Sequence, residues 1–72
     1  MARETIMKKF AIFLKQKRQA MGLSQERLAV QMFNDKKMGG YISNIENEKL
    51  NVSLQTMDSF LEALNSSIEF IE

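Results

Sequence analysis

Apolar residues in this chain recur at three- and four-residue steps in four separate runs, each broken by glycine, asparagine or serine. That period belongs to amphipathic helices, and four short runs predict an all-α bundle. The first run covers about residues 3–20, with Ile6, Phe10, Phe13, Leu14 and Met21 on one face and Lys8, Lys9, Lys15, Gln16 and Arg18 on the other; Gly22 stops it. Ser24 caps a second helix in which Leu28, Ala29 and Met32 share a face, and Phe33-Asn34 ends it. A polar turn over 35–40 precedes a short third helix at 41–47 with Ile42 and Ile45 inward. Ser53 caps the fourth, whose stripe is Leu54, Met57, Phe60, Leu61 and Leu64. Only the end changes period: after Asn65-Ser66-Ser67, Ile68 and Phe70 stand two apart, as in a short strand or extended tail.

With 72 residues the chain is one small domain, 1–72, with no linker or repeat. It has no Cys and no His, so it lacks a disulfide framework, a thiolate nucleophile, the usual zinc ligands and the commonest general base. No carboxylate pair or serine–base arrangement stands out, and Gly39-Gly40 lacks the spacing of a phosphate-binding loop. The expectation is a protein that is not an enzyme and needs no metal or cofactor. No apolar run approaches the ~20 residues of a membrane helix and no charged-then-apolar leader opens the chain, so a soluble cytoplasmic protein is expected. A core this small is marginal on its own, which points to oligomerisation as support.

The net charge of +1 hides an asymmetry. Residues 1–37 carry nine Lys or Arg against three acids, a balance of +6; residues 38–72 carry Lys49 alone against six acids, a balance of −5. One basic half suits a chain with one face toward phosphates, although small domains also scatter charge unevenly by chance.

The most specific stretch is Gly-Leu-Ser-Gln-Glu-Arg-Leu-Ala at 22–29, followed by Tyr-Ile-Ser-Asn-Ile-Glu-Asn at 41–47. These residues resemble the helix-turn-helix domains of Cro and the phage repressors, the Xre type, and the likeness spans about residues 10–64. It implies a lambda-repressor-like helical domain that binds operator DNA as a dimer. The pair at about 24–47 would cross the DNA backbone with its first helix and read bases with its second.

Carried over on matching positions, the resemblance places Ser24 and Gln25 at phosphate and the edge of the site. Ser24 is equally well explained as a cap alone, whereas Gln25 is polar, stands at a helix start and is unsuited to core. Tyr41 and Asn44 fall on the outward face of the recognition helix. Asn pairs bidentately with adenine, and Tyr reaches phosphate or a thymine methyl; the alternatives are a ring packed near the turn and plain solvent exposure. Lys49 and Asn51 follow in the segment that meets the DNA backbone. Arg18 and Glu46 are the implied structural ion pair, tying the recognition helix to the scaffold.

The chain departs from the family in its turn. Twelve residues separate Ala29 from Ile42, about three more than usual. Either the surplus bulges as a loop, or the recognition helix begins earlier with Asn34 or Asp35 as its cap. Two adjacent glycines inside a helix cost ~2 kcal/mol relative to alanine, which favours the loop. Gly39 and Gly40 would then let the backbone approach DNA, with Lys36 and Lys37 as an added phosphate clamp or a groove finger; a solvated flexible loop is the alternative. Glu48 stands where the family often has Gly, so Asn47 is expected to take the left-handed position.

The tail resembles the subgroup in which a short C-terminal strand pairs across the dyad. It suggests a homodimer through about residues 66–72, with Ile68 and Phe70 covering Leu61 and Leu64. The function expected from all this is a sequence-specific transcriptional regulator, a repressor that could control its own gene. The alternatives are an antitoxin, which would also bind a toxin protein, and the controller protein of a restriction–modification system.

Overall fold

A computed structural model describes residues 3–64, with side chains described from Ile6 onward. Four α-helices make up the described chain: α1 Arg3–Ala20, α2 Gln25–Phe33, α3 Gly39–Glu46 and α4 Leu54–Ala63, with a 3₁₀ turn at Lys36–Met38 leading into α3. The all-helical expectation holds over these residues. The expected strand or tail at 66–72, and with it Ile68 and Phe70, lies outside them. No described helix is long and apolar enough to cross a membrane.

The helix ends follow from local chemistry. Ser24 Oγ accepts the Arg27 amide at 2.9 Å and Ser53 Oγ accepts the Thr56 amide at 3.1 Å, each satisfying one orphan donor of a first turn. At the end of α1, Gly22 takes a left-handed φ of 72°. Its amide bonds to Gln19 O while the Leu23 amide bonds to Arg18 O, both at 3.0 Å. This paired closure is a Schellman motif, and Gly is the residue it favours. Asn34 ends α2 in the same backbone region, φ 57°.

The core joins Met7, Phe10 and Leu14 of α1 to Leu28 and Ala29 of α2, Ile42 and Ile45 of α3, and Met57, Phe60 and Leu64 at the α4 end. Phe10 and Phe60 meet edge to face, centroids 5.8 Å apart, at its centre. The buried stripe of α1 runs Met7, Phe10, Ala11, Leu14 and then Arg18, so the expected face is rotated slightly. Ile6 packs at the rim, Phe13 is half-buried, and Met21 lies past the helix end and is exposed. Apolar residues occur on several sides of α1, Ile12 included, so periodicity alone does not fix which of them faces inward. Leu54 is a second correction: it opens α4 and is 62% exposed, leaving Met57 as the first residue of that stripe to enter the core.

Leu61 and Leu64, expected under the tail at the dimer interface, are buried. They are 2% and 0% exposed within the single chain, Leu64 as part of the core, and the tail expected to cover them lies outside the described residues.

Candidate nucleic-acid interface

The site is organised around Arg18, the polar continuation of the buried stripe of α1. Its Nε donates to Glu46 Oε2 at 2.7 Å and its Nη2 to Glu46 Oε1 at 3.0 Å, while Nη1 donates to the Leu23 carbonyl at 2.7 Å. The two charged side chains are 9% and 2% exposed. A planar guanidinium matches a carboxylate two-prongedly, and burial removes competing water. Gln25 completes the network, its Nε2 donating to Glu46 Oε1 at 3.0 Å. The end of α1, the turn after it, the first residue of α2 and the last residue of α3 are thus fastened at one point.

Gln25 therefore has a structural task that its sequence position did not reveal. Its amide nitrogen is committed to Glu46, and the side chain is half-buried. Glu46 in turn directs its charge inward, so the carboxylate of α3 is neutralised by Arg18.

The segment before α3 is not the expected loop. Asp35 Oδ1 accepts the Lys37 amide at 2.9 Å, Asp35 O accepts the Met38 amide at 3.1 Å, and the Gly39 amide bonds to Lys36 O. Asp35 thereby caps a helical turn that runs directly into α3, and both glycines are helical. The propensity argument for a loop fails because packing decides the conformation. A Cβ on Gly39 would lie 3.2 Å from Glu26 Cγ and 3.3 Å from Glu26 Cα. Glycine lets α3 press against α2. Gly39 is buried in that contact and its amide is spent on Lys36, so it is withdrawn as a residue for DNA to approach. Gly40 is exposed, with open space where its Cβ would be.

Tyr41 requires correction as well. Its ring stacks on Phe60 at 6.5 Å and meets Phe33 edge-on at 6.0 Å, so it packs half-buried between α2 and α4 and does not lie on the outward face of α3. That face is formed by Gly40, Asn44 and Asn47, all exposed. Ser43 is half-buried, its Oγ accepting Asn47 Nδ2 at 3.3 Å. Ser24, Lys36, Lys37, Lys49 and Asn51 are exposed around α2 and the two ends of α3.

The left-handed residue after α3 is Glu48, at φ 60°; Asn47 has φ −93°. The Glu48 amide bonds to Ile45 O at 3.0 Å and the Lys49 amide to Asn44 O at 2.8 Å, a second Schellman closure with Glu48 in the place that Gly22 takes after α1.

Arg27 was absent from the candidate residues. It is exposed on the first turn of α2, and with Ser24, Glu26, Val30 and Lys36 it lines an open cleft of about 250 Å³. In sequence Arg27 and Lys36 are separated by a helix and its cap, so no local pattern announces their proximity. No family model, curated protein or solved structure matches the chain.

Proposed function

We propose that the chain is a sequence-specific DNA-binding regulator of the Cro and phage-repressor type. It acts as a homodimer on operator DNA, as a repressor that occludes the promoter. The observation that carries this reading is the fastening of α2 to α3 by Arg18, Glu46 and Gln25, which holds an exposed face of Gly40, Asn44 and Asn47 on a rigid pair of short helices. A helix ~10–12 Å across fits a major groove ~12 Å wide. In this mechanism α3 enters the groove, Gly40 leaves room for close backbone approach and Asn44 offers an amide to a base edge. Ser24, the lysines around α3 and Asn51 meet phosphates and set the register. The inward-turned Glu46 does not repel the phosphates it passes.

The test is a fluorescence-anisotropy titration against the duplex upstream of the protein's own gene, with a shuffled duplex as control, each at several salt concentrations. Tighter binding upstream that persists as salt rises supports an autoregulator. Equal weak binding to both duplexes removes base reading from α3.

A further inference from the structure

Arg27 of α2 and Lys36 of the 3₁₀ turn line the same cleft, with Ser24, Glu26 and Val30. Both cations are exposed, and among the described residues neither side chain has a hydrogen-bond or ion-pair partner. Each is carried on a capped turn: Arg27 on one capped by Ser24, Lys36 on one capped by Asp35. Two like charges held around one hollow repel until an anion lies between them. Glu26 is the one carboxylate on the cleft, which leaves an excess positive charge. Val30, 42% exposed, adds an apolar wall. At about 250 Å³ the cleft is smaller than the ~300–1,000 Å³ pockets that hold whole small-molecule ligands. A single phosphate with its adjoining sugar suits a hollow of this size and charge. The Lys36 carbonyl also accepts the Gly39 amide, so the cleft is joined through hydrogen-bonded backbone to the start of α3.

We propose that Arg27 and Lys36 clamp one phosphodiester of the DNA backbone, so that the extra turn supplies affinity and register rather than base reading. This rests on the DNA-binding function proposed above and adds a residue, Arg27, that joins Lys36 on one anion.

The experiment is a salt series of anisotropy titrations on the upstream and shuffled duplexes. It uses wild type, Arg27→Gln, Lys36→Gln, the double variant and Lys9→Gln, a charge-matched change at an exposed position of α1. Each cleft variant is expected to weaken both duplexes by the same factor. The double variant should flatten the plot of log Kd against log salt by about one unit, the share of one phosphate contact. Its loss should fall short of the two single losses combined, because both cations hold one anion. An unchanged slope, or an equal change in Lys9→Gln, overturns the clamp while leaving the DNA-binding reading intact. Loss confined to the upstream duplex also overturns it, by assigning Arg27 or Lys36 to base reading. If wild type binds neither duplex, the function proposed above falls. The cleft is then read with inorganic phosphate by NMR: shifts confined to the Arg27 and Lys36 side chains support an anion clamp, and their absence overturns it.

Discussion

Arg18 and Glu46 stand 28 positions apart in the chain and meet through two hydrogen bonds of 2.7 and 3.0 Å, with both side chains almost wholly buried. The consequence for stability is asymmetric. Removing one partner strands a buried charge at a cost of about 3–5 kcal/mol, while replacing both with apolar residues is far milder. A domain of this size holds only about 3–5 kcal/mol in its core. Arg18→Met is therefore expected to be largely unfolded at 25 °C, and Arg18→Met with Glu46→Met to recover most of the loss. Urea unfolding followed by circular dichroism measures both. Single variants with wild-type midpoints would show that the pair is idle.

The two Schellman closures predict the same preference for glycine. Glu48 occupies a left-handed position that suits glycine, and Gly22 already meets the same need. Glu48→Gly should stabilise by about 1 kcal/mol, worth roughly 4–8 °C in a domain of this size, and Gly22→Ala should lose a similar amount. Thermal melts of the two variants decide it; a fall in Tm for Glu48→Gly contradicts the assignment.

Adjacent glycines at the start of α3 should also part company. Gly39→Ala brings a Cβ to 3.2 Å from Glu26 Cγ and 3.3 Å from Glu26 Cα, a crowding that offsets the helix-propensity gain of about 1 kcal/mol, so this variant is expected to melt no higher than wild type. Gly40→Ala meets nothing within 4 Å and should stabilise by up to about 1 kcal/mol. If DNA closely approaches Gly40, the same variant binds the upstream duplex more weakly although it melts higher. A more stable Gly40→Ala protein with unchanged affinity removes that approach.

Asn44 and Tyr41, three residues apart, face different surroundings. Asn44→Ala should cost about 1–3 kcal/mol on the operator and much less on shuffled DNA, if the amide reads a base. Tyr41→Phe keeps the ring between Phe33 and Phe60 and should leave affinity unchanged. Gln25→Ala is expected to lower both stability and affinity, because its amide supports Glu46. Paired melts and anisotropy titrations separate these effects; a pronounced affinity loss in Tyr41→Phe would restore the phenol as a contact.

Features governed by near neighbours in sequence were the legible ones. The caps at Ser24 and Ser53, the stop at Gly22, the left-handed Asn34 and the inward pair Ile42 and Ile45 all depend on residues a few positions away. What escaped depends on distant partners, apart from the left-handed position after α3, which falls on Glu48 and not on Asn47. Residue 39 has no room for an ordinary Cβ because Glu26 lies against it, Tyr41 turns inward because Phe33 and Phe60 receive its ring, and Gln25 is engaged because Glu46 comes to it. Leu54 escaped for another reason: at the opening of a helix, one more apolar residue extends the pattern without extending the buried face. Arg27 carries no signal at all until the turn brings Lys36 alongside.

The Asp35-capped turn has a geometric consequence for how such a chain can vary in length. Three residues of 3₁₀ helix complete one revolution and rise about 6 Å. The Lys36–Met38 turn therefore adds a full rung ahead of α3 while leaving the angular phase of Ile42, Asn44 and Ile45 about the helix axis nearly where it would be without it. A turn one residue shorter or longer, wound the same way, would rotate that face by about a third of a revolution, exchanging what is buried for what is offered. At this junction, length changes by whole turns are conformationally neutral, and intermediate ones are not.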